Sequence, residues 1–278
     1  MKPLIPIALF CLFSAAVHGQ YYYKDLVVSG ENIKKRALYE LNKVKNIRFN
    51  SVDGLNQPIE GFNCNLEVNR SFTEITTVTS TGLTGATENT SYFNAAGQLV
   101  KSVDTSEGNK TVINYTWDAG NRISLITSQS FSPGGYVIAE QHHWFYSNAG
   151  KPEKMLKIKN EADTTYITFM LDDQGNVSEE KSVHRGQPLP TIYYYYDDKN
   201  RLTDIVRYNI RAKRLLPDYI FEYNQEDQLS TMLVVTEGTG DYQKWYYRYN
   251  DKALKVTDEC YSKTKVLIGK INYGYQFF

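Results

Sequence analysis

From residue 91 onward, apolar and polar side chains alternate along the chain, and the alternation breaks at a nearly constant interval. Between Val112 and Trp117, Ile113, Tyr115 and Trp117 fall on one side, with Val112, Asn114 and Thr116 on the other. The apolar side recurs as Ile167/Phe169/Leu171, Ile192/Tyr194/Tyr196, Tyr219/Phe221/Tyr223 and Trp245/Tyr247/Tyr249. A strand sends successive side chains to opposite faces, so these segments are predicted strands with one buried face.

Each such segment ends in an anchor, usually aromatic, followed by a turn-forming residue. The pairs are Phe93-Asn94, Trp117-Asp118, Tyr146-Ser147, Leu171-Asp172, Tyr196-Asp197, Tyr223-Asn224 and Tyr249-Asn250. Successive anchors lie 24, 29, 25, 25, 27 and 26 residues apart, which is the signature of a repeat architecture. Four residues past the anchor sits Gly97, Asn121, Gly150, Gly175 or Asn200, residues that tolerate a left-handed backbone. Each copy therefore reads as a strand, a type I turn closed by a left-handed residue, and a return strand. Connections between strands are too short for parallel crossovers, so two strands per copy predict an antiparallel meander of about fourteen strands. The fold class is all-β: a β-hairpin meander forming one large curled sheet, which must twist and either closes on itself or stays open.

The first ninety residues differ. "SGENIKKRALYELNKVKNI" (29–47) places Ile33, Ala37, Leu41 and Val44 on one stripe at helical spacing, predicting one short N-terminal helix with Ser29 as N-cap. Residues 48–90 read as strands around a loop at Asp53 to Gly61. Ahead of all this, Lys2 and the apolar run Pro3 to Val17 have the form of a signal peptide cleaved after Gly19. The expected organisation is a leader (1–19), a helix with the first strands (20–90) and the repeats (91–278), the last two forming one continuous domain. An exported protein, periplasmic or extracellular, is the expectation.

Composition narrows the functional classes. Thirty-one basic and 31 acidic residues give zero net charge, which argues against a nucleic-acid partner. Tyrosine is abundant at 23 residues and suits half-buried pleated surfaces. Two cysteines remain past the leader, Cys64 and Cys260; an exported protein permits a bridge between them if the first and last strands of the sheet meet.

The repeated words resemble the YD repeat of the Rhs family, whose core reads roughly Y-x-Y-D-x-x-G-R-L; "YYYDDKNRL" (Tyr194 to Leu202) and "YTWDAGNRI" (Tyr115 to Ile123) are the closest copies. The likeness extends over about residues 91–256. It implies curved β-hairpin sheets and points to small exported bacterial YD repeat-containing proteins. The family's shell-and-toxin arrangement does not carry over, because this chain is too short to enclose a cargo domain. The repeat's Arg stands only at Arg122 and Arg201, and its Gly is replaced by Asp227 and Ala253 in the last two copies.

Chemistry-bearing candidates are few. Asp172-Asp173 and Asp197-Asp198 are adjacent acids, but both fall on predicted turns, where Asp has a structural role. His142 and His143 would straddle a strand, and no zinc-protease, nucleophile-elbow, C-x-x-C or P-loop string occurs. No catalytic residue, metal or cofactor is therefore expected, and the chain reads as a non-enzymatic structural or binding module whose partner is a protein or a glycan. The alternative is a carbohydrate-binding or carbohydrate-active surface protein using aromatic side chains. Tyr193, Tyr195 and Tyr246 lie on the face opposite the predicted core and are its candidate ligand contacts. The ending "INYGYQFF" has the terminal aromatic of an outer-membrane barrel. Against this, "RLTDIVRYN" carries Asp204 on one face and Arg207 on the other, so a membrane span is not expected.

Overall fold

The computed structural model describes residues 21–82, 85–209, 212–236 and 240–278. The predicted leader and its cleavage point lie outside them. Among the described residues the chain forms one helix, α1 (Lys24–Leu41), and nineteen strands. The first strands are β1 (Val44–Asp53), β2 (Asn63–Val68), β3 (Glu74–Ser80), β4 (Thr87–Phe93) and β5 (Leu99–Ser106). They continue with β6 (Asn109–Trp117), β7 (Ile123–Phe131), β8 (Val137–Tyr146), β9 (Pro152–Lys159) and β10 (Asp163–Leu171). Next come β11 (Val177–His184), β12 (Gln187–Pro188), β13 (Ile192–Tyr196), β14 (Leu202–Asn209) and β15 (Arg214–Tyr223). The last are β16 (Leu229–Val235), β17 (Tyr242–Tyr249), β18 (Lys255–Ser262) and β19 (Leu267–Phe277).

All pairings are antiparallel between sequence neighbours, and the short β12 and then β13 pair along the same edge of β11. One pairing is different in kind. β1 pairs with β2 on one side and with β19 on the other, so that Phe49 faces Cys64 across one ladder and Tyr273 across the other. The curled sheet expected from the repeats is therefore a closed barrel of eighteen strands, β12 standing outside the ring. Closure removes the unpaired edges that an open sheet would expose.

The repeat words explain the local geometry. Asp197 Oδ1 accepts from the amides of Lys199 and Arg201 at 3.0 and 2.9 Å, and Asn200 takes φ 60°. The same double acceptance is made by Asn94, Asp118, Asp172, Asn224 and Asn250. Asp172 and Asp197 thus hold turns, as their positions in the repeat imply. Each of the seven anchors of the repeat words pairs with the residue six positions later at a register shift, for example Tyr196 with Leu202. The carbonyl at that shifted residue is claimed by the next hairpin. Trp117 Nε1 donates to the Leu99 carbonyl at 2.9 Å, Tyr146 Oη to Ile123 at 2.7 Å and Tyr196 Oη to Val177 at 2.9 Å. Tyr223 donates to Leu202, Tyr249 to Leu229 and Tyr275 to Lys255. Tyr275 is thus an eighth anchor, one hairpin beyond the seven legible in the repeat words.

The helix starts earlier and stops earlier than its apolar stripe implies. Ser29 is inside it and buried, its hydroxyl donating to the Asp25 carbonyl at 2.6 Å. The N-terminal amides of Tyr22 and Tyr23 instead donate to the carboxylate of Glu180 on β11, each at 2.9 Å. Leu41 is exposed, whereas Val44 is fully buried as the first residue of β1. The helix lies across the barrel mouth on the side of the repeat turns. Tyr21 and Tyr23 pack on Tyr194 at one end, and at the other Asn42 donates to the carbonyl of Lys252 in a repeat turn. Two apolar clusters result, one around Tyr21, Tyr22 and Trp144, the other around Tyr39, Ile47 and Leu99.

Cys64 and Cys260 are both buried and no disulfide joins them, so the bridge considered from the sequence is not made. The reason is register: closure joins β1 to β19, leaving both of those strands between β2 and β18. Three inter-strand spacings amount to about 14 Å, whereas a disulfide needs Cα atoms within about 7 Å.

Candidate functional site

The three tyrosines nominated from the sequence stand on the outer face and do not form one platform. Tyr195 and Tyr246 are exposed and Tyr193 is half-buried. Tyr193 and Tyr195 share β13, while Tyr246 is on β17, four strand spacings or about 19 Å away around the barrel. Tyr246 has its own neighbours, Tyr261 edge-on at 5.5 Å and the Lys244 ammonium at 5.4 Å.

The concave site lies inside the mouth. A cavity of about 280 Å³ opens between α1 and the β17–β19 wall. The helix contributes Asn32, Lys35 and Leu38, and the wall contributes Tyr249, Tyr273 and Tyr275. The repeat pattern placed these tyrosines: Tyr249 and Tyr275 are anchors, and their hydroxyls are tied to backbone carbonyls at 2.9 and 2.8 Å. Burial pushes both phenols above their ordinary value, so they present neutral ring faces. Tyr273 stacks on Tyr275 at 6.4 Å and meets Phe49 edge-on at 5.0 Å.

A second chamber of about 50 Å³ shares Lys255 and Tyr273 with the first and runs deeper, between Met232, Trp245, Tyr247, Asp258 and Ile271. Tyr247, Asp258 and Ile271 face one another directly across the β17–β18–β19 ladders, so alternation along these strands builds this wall. Asp258 is the only acid lining it. Its Oδ2 accepts from Tyr273 Oη at 2.7 Å and from Lys255 Nζ at 3.1 Å. Its Oδ1 is buried and has no hydrogen-bond partner in the protein. Lys255 also stands 3.9 Å from the centre of the Tyr247 ring. Nothing in the repeat words marks Asp258; the available signal was an acid in register with the aromatic face of the neighbouring strand.

Other buried ionisable groups are committed to the fold. His142 Nδ1 meets Asp25 Oδ2 at 2.5 Å and its Nε2 meets Glu140 at 2.8 Å, which fastens α1 to β8. Burial alone would lower the His142 pKa, but the two carboxylates outweigh it and raise it to about 9. Glu140, which also receives Lys157 at 2.9 Å, is held down at about 2 against its own burial by those two partners. His143 points the other way, to Gln141. Burial raises the Glu180 pKa, opposed by the amides of Tyr22 and Tyr23 and the Tyr194 hydroxyl. Among the described residues no group of three or more His, Cys, Asp or Glu is placed to hold a metal ion.

No protein-family profile matches this chain, and no curated protein matches it. Solved structures do. A porin-like protein from Bacteroides uniformis is 11% identical over 84% of this chain and 98% of its own, with a TM-score of 0.41. A second porin-like protein, from Bacteroides vulgatus, is 11% identical over 83% of this chain and 98% of its own, at 0.28. The TccC3 mutant holotoxin pore of Photorhabdus luminescens is 14% identical over 77% of this chain, at 0.35, and this chain spans 12% of that one's length. At TM-scores below 0.5, none of them defines this chain's fold or activity.

Proposed function

We propose that this chain is an exported, non-catalytic barrel of YD-like repeats that binds a small ligand between α1 and the β17–β19 wall. The observation that carries the reading is the aromatic cavity itself, about 280 Å³, near the lower end of the ~300–1,000 Å³ common for ligand sites. It combines neutral ring faces with a few convergent polar groups, the usual make-up of a recognition site. Buried acids and bases elsewhere are occupied in holding the helix and the strands, which favours binding over catalysis. The separation of Tyr193 and Tyr195 from Tyr246 makes an outer-face glycan platform the weaker reading. A cavity-filling Asn32→Trp change at a half-buried, cavity-lining position of α1 tests the proposal. Wild-type protein is expected to bind the neutral dye 1-anilinonaphthalene in the cavity and the variant to lose it; equal binding by both would overturn the assignment.

No helix among the described residues is long and apolar enough to cross a membrane. An outer-membrane barrel is the second reading, prompted by strand closure. A lipid-facing band is about 25 Å tall, whereas the ring strands run from five to eleven residues, and at roughly 3.3 Å each the shorter ones, such as β13, do not reach that height. Glu67, Lys154, Lys181 and Arg248 all stand exposed on those strands, which favours an aqueous exterior. Recovery in the soluble periplasmic or secreted fraction is expected, and recovery in the outer membrane would reverse the choice.

A further inference from the structure

The geometry points to a neutral, hydroxyl-rich ligand, a saccharide, whose hydroxyl enters the deep chamber and donates to Asp258 Oδ1. This inference rests on the proposed binding role of the cavity and names the ligand class. Asp258 is nine-tenths buried, its side chain only 9% exposed, yet one carboxylate oxygen is unpaired. A buried acceptor without a donor costs more than the bond it lacks would return, so the site favours a ligand that supplies a donor. The chamber's volume, about 50 Å³, suits a single hydroxyl or hydroxymethyl group.

Charge decides between an alcohol and an amine. The Asp258 carboxylate is already balanced by Lys255, whose ammonium covers Tyr247, the ring that would otherwise attract a cation. A second cation would meet Lys255 as a like charge, and an anion would meet Asp258. A hydroxyl meets neither penalty: it donates to Asp258 Oδ1, and a neighbouring hydroxyl accepts from Lys255 Nζ. The outer cavity then offers the faces of Tyr249, Tyr273 and Tyr275 to the apolar C–H side of a sugar ring.

Asp258→Asn separates this from a purely structural role. Lys255 and Tyr273 are both donors, so they hold the amide oxygen and turn the amide NH2 into the chamber, replacing an acceptor with a donor at constant shape. The full chain is applied to an array of neutral, acidic and aminated glycans. Neutral glycans are expected to bind wild type and to lose at least about tenfold in affinity with Asp258→Asn, the cost of one charged hydrogen bond. Asn32→Trp is expected to abolish the same signal. Binding only to aminated or acidic glycans, neutral binding unchanged in Asp258→Asn, or no glycan binding would each overturn the inference. In the last case the anilinonaphthalene probe decides the cavity reading separately, which stands if Asn32→Trp still excludes the dye.

Discussion

The Arg201 guanidinium lies 4.6 Å from the centre of the Tyr223 ring while bonding to Asp197 of its own turn at 2.7 Å. Arg122 repeats the arrangement with Tyr146 and Asp118. The Arg of the repeat word thus joins one hairpin to the next, and the tyrosine it covers donates to the carbonyl at the register shift. Tyr223→Phe keeps the ring and removes that donor. The expected loss is about 1 kcal/mol in urea unfolding, and no loss would show that the Leu202 carbonyl needs no donor.

Ala253 occupies the left-handed turn position with φ 58°. A side chain there costs about 1–2 kcal/mol, more than the roughly 0.5–1 kcal/mol of extra chain entropy that glycine brings. Ala253→Gly is therefore expected to raise stability by about 0.5–1 kcal/mol, measured against Gly175→Ala, which should lower it.

The His142 cluster gives a pH dependence of definite sign. His142 is raised from 6.5 to about 9, so its contribution is complete below pH 6.5 and is lost as pH rises through about 9. Glu140 is lowered from 4.5 to about 2, so its contribution is complete above pH 4.5 and is lost as pH falls through about 2. Denaturation midpoints should form a plateau between these limits, and His142→Gln should remove most of the fall on the alkaline side.

Both thiols should be inert in the native state. Burial alone pushes Cys260 up to about 12, where almost no thiolate exists at neutral pH. Iodoacetamide is expected to label neither cysteine until denaturant is added and both afterwards. An intact mass that rises by two hydrogens on reduction would instead establish a bridge.

Replacing Glu180 by Ala leaves the Tyr22 and Tyr23 amides and the Tyr194 hydroxyl without an acceptor. A loss of at least about 2 kcal/mol is expected, with proteolytic cleavage within 24–41 accelerated well before the barrel unfolds. Cleavage rates equal to wild type would mean that the helix is held mainly by its apolar packing.

What could be read from the sequence was local. Strand phase, turn residues and the left-handed positions repeat because each hairpin solves the same short-range problem, so the inward rows at Tyr194, Phe221 and Tyr247 were visible in alternation alone. The start of α1 was not, because its acceptor is Glu180, more than 150 residues away. Tyr275 was hidden because no turn follows it to complete the word, although it stands 26 residues after Tyr249. The deep chamber was equally out of reach, since Asp258 becomes notable only when β17 and β19 flank it.

The β1–β19 seam has a kinetic consequence. It joins Val44 to Phe277, more than two hundred positions apart, whereas every other ladder links strands adjacent in sequence or, for β11 and β13, separated only by the short β12. The hairpins can zip within microseconds as the chain collapses, but the ring waits for the last strand to arrive. A chain stopped before Leu267 has most of its local structure and two open edges, on β1 and β18. It is a template for strand exchange with another copy of itself, so the arrival of β19 at β1 is what commits this chain to closing its own ring.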